Sequence, residues 1–306
     1  MQPINRSMEL GDWLQLALLS LVWGGSFFFV AVALEGLQPL TIVALRVSIA
    51  AACLWIVVAI SRPASFRARP IQWLVMGAIN NAIPFTLIVW SQQHIGSGHA
   101  AILNATTPLF TVLVAHVALR DEPLRIQAVA GILAGLVGVV LIVGTSGLGT
   151  DAQVAADLAM LLAAVSYACA SVYGRRFGGD PAIVTAAGQL TGSSLIMIPL
   201  ALAIDRPWLA TAPSAGSLGA VAGLAVLSTA FAYVVYFGIL RRAGAINLML
   251  VTLLVPPTAL LLGVLFLGED LAAADMLGLA AIGLGLMVID GRLVGRWFRT
   301  DQRGRP

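Results

Sequence analysis

Residues 98–142 read GHAAILNATTPLFTVLVAHVALRDEPLRIQAVAGILAGLVGVVLI, and residues 244–289 read GAINLMLVTLLVPPTALLLGVLFLGEDLAAADMLGLAAIGLGLMVI. Each stretch has a proline early, an acidic turn in the middle and a glycine-rich apolar run at the end. Three pairs of residues align at nearly constant spacing: Pro108–Pro256 at an offset of 148, and Glu122–Glu269 and Gly131–Gly278 at 147. Repetition at a fixed period indicates that the chain is an internal duplication.

The composition predicts a membrane protein. Of the 306 residues, 59% are apolar and 10% are charged, and the mean hydropathy is +0.96, more apolar than a soluble domain of this size. A helix that spans a bilayer takes about 20 residues. Ten stretches of suitable length are predicted, at about 14–34, 40–60, 71–90, 97–118, 126–144, 157–174, 182–204, 217–240, 245–267 and 275–290. These stretches leave no room for a soluble domain.

The positions of the arginines predict the orientation in the membrane. The chain has no lysine, and with a cytoplasmic N-terminus 15 of its 17 basic residues fall on the cytoplasmic side. Arg206 alone falls outside, and Arg46 lies within a span. Because cytoplasmic loops retain positive charge, both termini are expected in the cytoplasm. Anionic lipid accounts for the basic tail, so no nucleic-acid partner is expected.

Ten spans in two copies give five spans to each copy. We expect a first repeat over residues 1–147 and a second over residues 148–306, the second ending in the basic cytoplasmic tail. Because five is odd, the second repeat enters the membrane in the opposite sense, so the fold expected is all-α with two inverted five-helix repeats. Inverted repeats are typical of transporters, whose substrate site lies where the two halves meet.

The paired segments make the chain resemble a known family. WGGSFF at 23–28, Arg46 in the second span, and the two proline-to-glutamate segments resemble the EamA type of the drug/metabolite transporter superfamily. The resemblance covers residues 14–291 and is greatest to the aromatic and neutral amino-acid exporters of the bacterial inner membrane. It implies ten helices, alternating access, export of a small solute and no cofactor. The protein is expected to function as a monomer, with membrane lipid and a small-molecule substrate as its partners.

Arg46 is the first candidate for the substrate site. It lies about six residues, or about 9 Å, inside its helix, where a charge costs on the order of 3 kcal/mol. A guanidinium facing a central cavity could bind a substrate carboxylate with two parallel hydrogen bonds. Alternatively, Arg46 extends towards the interface or bonds the carbonyls of its own repeat. Its nearest counterpart in the second half is Gln189, so a carboxylate site would be asymmetric.

Polar side chains beside mid-span prolines are further candidates. Asn81 precedes Pro84, and Asn104 precedes Pro108. A proline within a span frees a backbone carbonyl, and such irregular backbone is tolerated only beside protein or a watery cavity. The two asparagines could bind substrate, or could satisfy the freed carbonyls. Four prolines are predicted to break or hinge helices: Pro84, Pro108, Pro256 and Pro257.

Aromatic residues occur in both halves. Those near span ends are usually interfacial anchors, whereas Trp23 and Tyr167 lie deeper and correspond to each other at an offset of 144. An aromatic face could receive a flat or apolar substrate side chain. The aromatic residues predicted to contact substrate are Trp23, Trp90, Tyr167, Tyr233 and Tyr236.

Ionisable residues argue against coupling to protons. No Asp or Glu lies in the middle of a predicted span, and His94 and His99 lie near the outer face. His116, the only histidine well inside a span, lies towards the cytoplasmic end. A binding site without a titrating group gives the substrate no link to the proton gradient. We therefore expect facilitated transport.

Two other functions remain as alternatives. The chain could export other small metabolites or toxic cations. More remotely, Gly144-Thr145-Ser146-Gly147 resembles the GxSG motif of intramembrane proteases, although all three histidines precede Ser146 and no metal-binding motif is present. The sequence favours a non-enzymatic exporter of small zwitterions, most of all amino acids with apolar or aromatic side chains.

The arginine distribution predicts the result of reporter fusions. A reporter fused after Arg305 should be active as a cytoplasmic fusion, because 15 arginines lie on that side. A reporter inserted between residues 145 and 153 should be active as a periplasmic fusion. The inverted-repeat topology fails if both reporters fall on the same side of the membrane.

Overall fold

The computed structural model describes residues 9–63, 66, 68–118, 126–146, 150–177, 180–248, 250–270 and 272–290. The predicted domain boundary at 147/148, Glu122 and the basic tail lie outside these residues. Throughout the described part the regular structure is helical and no strand occurs. The helical segments, numbered in chain order, are α1 Leu10–Leu34, α2 Pro39–Ser61, α3 Pro70–Ser91, α4 Ser97–Ala118, α5 Ile126–Ser146, α6 Asp151–Phe177, α7 Ala182–Leu200 extended by Ala201–Asp205, α8 Ala215–Leu248, α9 Val251–Leu267 and α10 Ala273–Asp290.

Seven of the described segments are long and apolar enough to cross a membrane, and α5, α9 and α10 are shorter apolar helices. The prediction of an all-helical, multi-pass membrane protein is therefore confirmed. Most predicted bounds agree with the observed ones, but α8 continues to Leu248 and α9 starts only at Val251, so the predicted start at 245 was wrong. No proline or cap interrupts the chain between Ala232 and Leu248, which lets α8 run on.

Local sequence explains where several helices begin. Pro39 and Pro70 occupy the first turns of α2 and α3, where a missing N–H costs nothing. Thr150 and Gln153 form a reciprocal capping box at the start of α6, with N···O distances of 3.3 and 3.0 Å. Gly268 has a φ of +67°, a conformation that favours glycine, and it ends α9 before the turn into α10.

Helices from the two halves pack mainly against each other. α5 packs against α10, α2 against α7, and α1 against α9. Each helix of the first half corresponds to the helix five positions later in the second half. The contact of α1 with α9 therefore corresponds to a contact of α6 with α4, and both contacts are present. The same correspondence relates the contact of α3 with α7 to that of α8 with α2. The packing therefore follows the duplication in the sequence.

Corresponding helices run antiparallel where they meet. At one end of the α2–α7 pair, the backbone N–H of Thr41 donates to Asp205 Oδ2 at 2.7 Å. Further along α2 but earlier in α7, Trp55 Nε1 donates to Thr191 Oγ1 at 2.9 Å. In the α5–α10 pair, Gly131 faces Gly285 and Gly138 faces Gly278. Small residues at these positions let the two backbones approach closely.

Glycine packing between α5 and α10 predicts a stability difference between two single substitutions. A Cβ added at Gly285 would meet the backbone of Gly131 and lie 2.9 Å from the nitrogen of Gly135, whereas one added at Gly283 would meet nothing within 4 Å. Gly285→Ala should therefore lower the stability by about 1–3 kcal/mol. Gly283→Ala should leave it unchanged or raise it by up to about 1 kcal/mol, because Ala favours helix. Thermal unfolding of the detergent-solubilised protein tests this, and equal melting temperatures for both variants would contradict the packing described.

Candidate functional site

Arg46 lies buried between the two halves, with 6% of its surface exposed. Its Nε donates to Thr229 Oγ1 at 3.0 Å, and its guanidinium carbon lies 3.6 Å from the centre of the Phe85 ring. No carboxylate among the described residues contacts it. The hydroxyl dipole and the ring face compensate the charge only in part. Arg46 is therefore a buried cation whose partners are all neutral.

A widened turn in α8 fixes the hydroxyl that receives Arg46. Residues Val226–Phe231 form a π-helical turn, and within it Thr229 Oγ1 donates to the carbonyl of Leu224 at 2.8 Å. This bond commits the only hydroxyl proton of Thr229, so its lone pairs remain to accept from Arg46. Such turns are rare and occur often at functional sites.

A hydrogen-bonded network of amides surrounds the phenol oxygen of Tyr233. Asn80 Nδ2 donates to it at 3.3 Å and Gln189 Nε2 at 3.0 Å, while the Tyr233 hydroxyl donates to Asn81 Oδ1 at 3.4 Å. Asn80 also donates to Gln189 Oε1 at 3.2 Å. The network joins α3, α7 and α8. Together with Arg46 and Thr229, these four residues are called the Arg46 cluster below.

A second π-helical turn brings both asparagines to the same phenol. Successive side chains of a regular helix point about 100° apart, but Asn80 and Asn81 lie in the turn Ala78–Ala82 of α3. In this turn the N–H of Ile83 donates to the carbonyl of Ala78, five residues back, but Pro84 has no N–H to donate in the same way to the carbonyl of Ile79. Ser166 Oγ of α6 donates to the freed backbone at Ile79 O at 2.6 Å. Proline and serine together thus stabilise the wide turn.

Several donors of the Arg46 cluster have no partner within the described part of the chain. Asn81 is fully buried and its Nδ2 makes no hydrogen bond. For Arg46 the one hydrogen bond within the described residues runs from Nε to Thr229 Oγ1, and none is made there by its two terminal nitrogens. Buried donors without acceptors are costly, and in native proteins they usually indicate a ligand or water. The cluster thus presents hydrogen-bond donors and one positive charge.

Aromatic rings border the cluster. The rings of Trp23 and Tyr236 lie 5.7 Å apart, and Phe237 lies 5.3 Å from Tyr236 and 5.9 Å from Tyr233, centre to centre. Tyr167 packs against two apolar cores, one shared with Trp23 and Tyr236 and the other with Phe85 and Tyr233. Four of the five predicted aromatic residues therefore lie together with Arg46, Asn81 and Gln189.

Two predicted residues lie apart from this group. Trp90 is 36% exposed and stacks edge-on against His94, with a ring distance of 5.0 Å, as an interfacial aromatic does. Asn104 ends the first part of α4, and its carbonyl accepts from Thr107 Oγ1 at 2.7 Å. No hydrogen bond between described residues joins Asn104 to the Arg46 cluster, and its Oδ1 is buried without a partner there.

The four predicted helix-breaking prolines have different settings. Pro84 follows the π-helical turn of α3, and Pro108 follows a two-residue turn at Ala105–Thr106 that divides α4. Pro256 and Pro257 lie inside the regular helix Val251–Leu262, where Thr258 Oγ1 bonds the carbonyl of Val255 at 2.8 Å.

Sequence reasoning missed two parts of this arrangement. Thr229 and Phe85 had no motif to single them out, because their roles arise from a wide turn and from packing between halves. It also passed over Asp157 and Asp275, because neither lies in the middle of a predicted span, whereas both contact His99 at 2.9 Å. Only the paired occurrence of acidic residues and histidine at helix starts could have suggested this.

The fold and its buried polar centre are those of a membrane transporter built from two related halves. The chain belongs to the EamA-like transporter family, whose sequence profile matches residues 12–144 and again residues 154–290. This family is part of the drug/metabolite transporter superfamily, so the predicted family is confirmed. The family and its relatives are transporters, not enzymes.

Relatives with similar sequences carry transporter names. The chain is 26% identical to "Uncharacterized transporter YoaV" of Bacillus subtilis (strain 168), over 88% of this chain and 93% of the relative. It is 28% identical to "Probable terminal-alkyne amino-acid exporter" of Streptantibioticus cattleyicolor, over 95% and 97%. It is 25% identical to "Uncharacterized inner membrane transporter YedA" of Escherichia coli (strain K12), over 89% and 88%. A crystal structure of a protein 23% identical shares the fold, with a TM-score of 0.68 over 95% of this chain and 99% of the other.

The hydrogen bonds of Tyr233 predict the effect of removing one oxygen. Tyr233→Phe should lower the stability by about 1–3 kcal/mol, because three amides, of which those of Asn81 and Gln189 are buried, lose their shared partner. Tyr173→Phe is the matched control, since the Tyr173 ring contacts Phe177 and Arg176 and its hydroxyl makes no hydrogen bond among the described residues. Melting temperatures in detergent measure both. A Tyr233→Phe variant as stable as the control would show that the network contributes nothing to folding.

Proposed function

We propose that the chain exports small zwitterionic solutes across the bacterial inner membrane, most of all amino acids with apolar or aromatic side chains. The substrate binds at the Arg46 cluster, with its carboxylate on the Arg46 guanidinium. One observation carries the proposal: Arg46 is 6% exposed, and it has no acidic partner in the described part of the chain. A charge in that position is stabilised when an anion arrives and is costly when none does.

The geometry of the donors suits a carboxylate. A planar guanidinium whose terminal nitrogens are unpaired can donate two parallel hydrogen bonds to one carboxylate. The unpaired Nδ2 of Asn81 is a further donor in the same cluster. Toxic cations fit less well, because the cluster already holds a positive charge and offers no carboxylate among the described residues.

The side chain of the substrate has an aromatic surface to contact. Trp23, Tyr236 and Phe237 lie beside the Arg46 cluster and can receive a flat or apolar group. The name of the amino-acid exporter that is 28% identical over 95% of this chain supports the same substrate class. Other small metabolites with a carboxylate remain the alternative.

Alternating access follows from the arrangement of the halves. We take α1–α10 as ten spans, with both termini cytoplasmic and the repeats at residues 1–147 and 148–306. The antiparallel contacts of α2 with α7 and of α5 with α10 support inversion, because these helices hold the same place in each repeat. Inverted halves can rock about a shared central site. A monomer contains both halves, and hence the whole site.

Substitution of Arg46 tests the substrate class. In proteoliposomes, Arg46→Gln should lower the uptake of labelled amino acids about tenfold or more, because a hydrogen bond to a charged group contributes roughly 1.5–3 kcal/mol. Uptake of the corresponding amino-acid amides, which have no carboxylate, should fall much less. Arg46→Lys should recover part of the loss, because it restores the charge without the planar fork.

The exposed Arg62 at the other end of α2 is the matched control, and Arg62→Gln should transport amino acids and amides as the wild type does. Equal losses for amino acids and amides in Arg46→Gln would assign Arg46 a purely structural role. Absence of amino-acid transport by the wild type would refute the substrate class itself.

A further inference from the structure

His99 joins three helices at the end of the bundle where α4, α6 and α10 begin. Its Nε2 lies 2.9 Å from Asp157 Oδ1 of α6, and its Nδ1 lies 2.9 Å from Asp275 Oδ1 of α10. The side chain of Asp157 is fully buried, and those of His99 and Asp275 are 15% and 10% exposed. These three residues are called the His99 cluster.

The two short distances require an additional proton. A neutral imidazole has one N–H, and its other nitrogen carries only a lone pair. It can therefore donate to one ionised carboxylate but not to two. With both contacts at 2.9 Å, either His99 is protonated or one of the aspartates is. If that proton were lost, a lone pair of the imidazole would face a lone pair of one carboxylate away from water. The contact of His99 with that aspartate would then weaken.

The surroundings of the His99 cluster are acidic. Glu269, in the turn before α10, accepts hydrogen bonds from the backbone N–H groups of Ser97 and Gly98 at 2.6 and 3.1 Å. This carboxylate closes the first turn of the helix that carries His99. α9, which also packs there, has no charged residue, and the one charged residue of α1, Asp12, contacts Arg242 at the opposite end. Among the described residues, the charged groups in contact with His99 are thus the carboxylates of Asp157 and Asp275, and Glu269 binds the first turn of the same helix.

Two polar atoms at this end have no partner in the described structure. Asp157 Oδ2 and Ser97 Oγ are buried and make no hydrogen bond. A fully buried carboxylate that lacks a donor at one oxygen needs a positive charge on another neighbour. A protonated His99 supplies that charge at 2.9 Å. Burial and contact geometry therefore favour proton binding independently.

We propose that His99, Asp157 and Asp275 form a proton-binding site that holds the outer end of the transporter closed. The proposal rests on the proposed orientation, in which α4, α6 and α10 begin at the periplasmic side. The closed end retains the proton, and opening separates the three side chains and releases it to the same side. Because the proton does not cross the membrane, it sets the rate of opening without driving the substrate. Raising the periplasmic pH should therefore favour the open outer end.

Accessibility of a cysteine at position 97 tests the proposal without any substrate. Ser97 is 1% exposed, so a thiol there reacts with a membrane-impermeant maleimide only when the outer end opens. The variant Ser97→Cys is made with Cys53→Ala and Cys169→Ala, and spheroplasts are labelled from outside between pH 6 and 8. The comparison variant adds Asp275→Asn, whose amide can donate to the lone pair of neutral His99 and so keeps the link without an extra proton.

Thiolate formation raises the labelling rate of both proteins equally, so the ratio of their rates isolates the His99 cluster. We compare the two proteins by dividing the labelling rate of the parent, which retains Asp275, by that of the Asp275→Asn variant. This ratio should rise with pH, by at most about tenfold per pH unit if one proton is released. A ratio that stays constant from pH 6 to 8 would overturn the proposal. That result would mean that the Asp275→Asn variant is as pH-sensitive as its parent.

Transport by proteins that retain Ser97 gives a second measurement. With equal substrate gradients, the initial rate of the wild type should depend on the pH at the outer side, and that of His99→Gln should not. An imposed pH gradient should leave the final distribution of a net-neutral amino acid unchanged, and accumulation driven by it would overturn the regulatory role. If no amino acid is transported while labelling follows pH, the substrate assignment fails and the proton site stands.

Discussion

The structure depends on the burial of one arginine between two halves of the chain. Arg46 of the first half reaches Thr229 of the second, at 3.0 Å, and the rest of its guanidinium faces neutral groups. A charge at this depth is tolerable only if the surrounding backbone supplies dipoles. The two π-helical turns, in α3 and α8, do so by presenting Asn80, Asn81 and Thr229 to the same small volume. The two widened turns thus bring polar side chains of α3 and α8 into the Arg46 cluster.

The centre of the duplicated molecule and the end where α4 begins have different roles. In the centre, helices α3 and α8 carry widened turns at matching places, but their side chains differ, so the site is asymmetric although the backbone is nearly symmetric. At the end where α4 begins, Glu269 and the His99 cluster tie several helices together. A substrate site between the halves and a closure at one end are the two elements that alternating access needs.

Sequence alone was sufficient for the architecture and for part of the site. Long apolar stretches and the repeated segments at 98–142 and 244–289 determine an all-helical, duplicated membrane protein, because helix length and hydropathy follow directly from the bilayer. Arg46, Asn81 and Gln189 could be chosen because polar residues inside spans are costly. Thr229 could not, since a threonine in a helix usually bonds its own backbone. Trp90 was among the aromatic residues predicted to contact substrate, but the direction of a side chain depends on packing, and the ring lies at the surface beside His94.

The central claim is that Arg46 binds the carboxylate of the substrate. A structure of the protein with a bound aromatic amino acid tests this claim most directly. We expect the carboxylate oxygens within about 3 Å of the terminal nitrogens of Arg46, with the side chain of the ligand against Trp23 or Tyr236. A ligand bound elsewhere, or bound at this site with its carboxylate turned away from Arg46, would contradict the account.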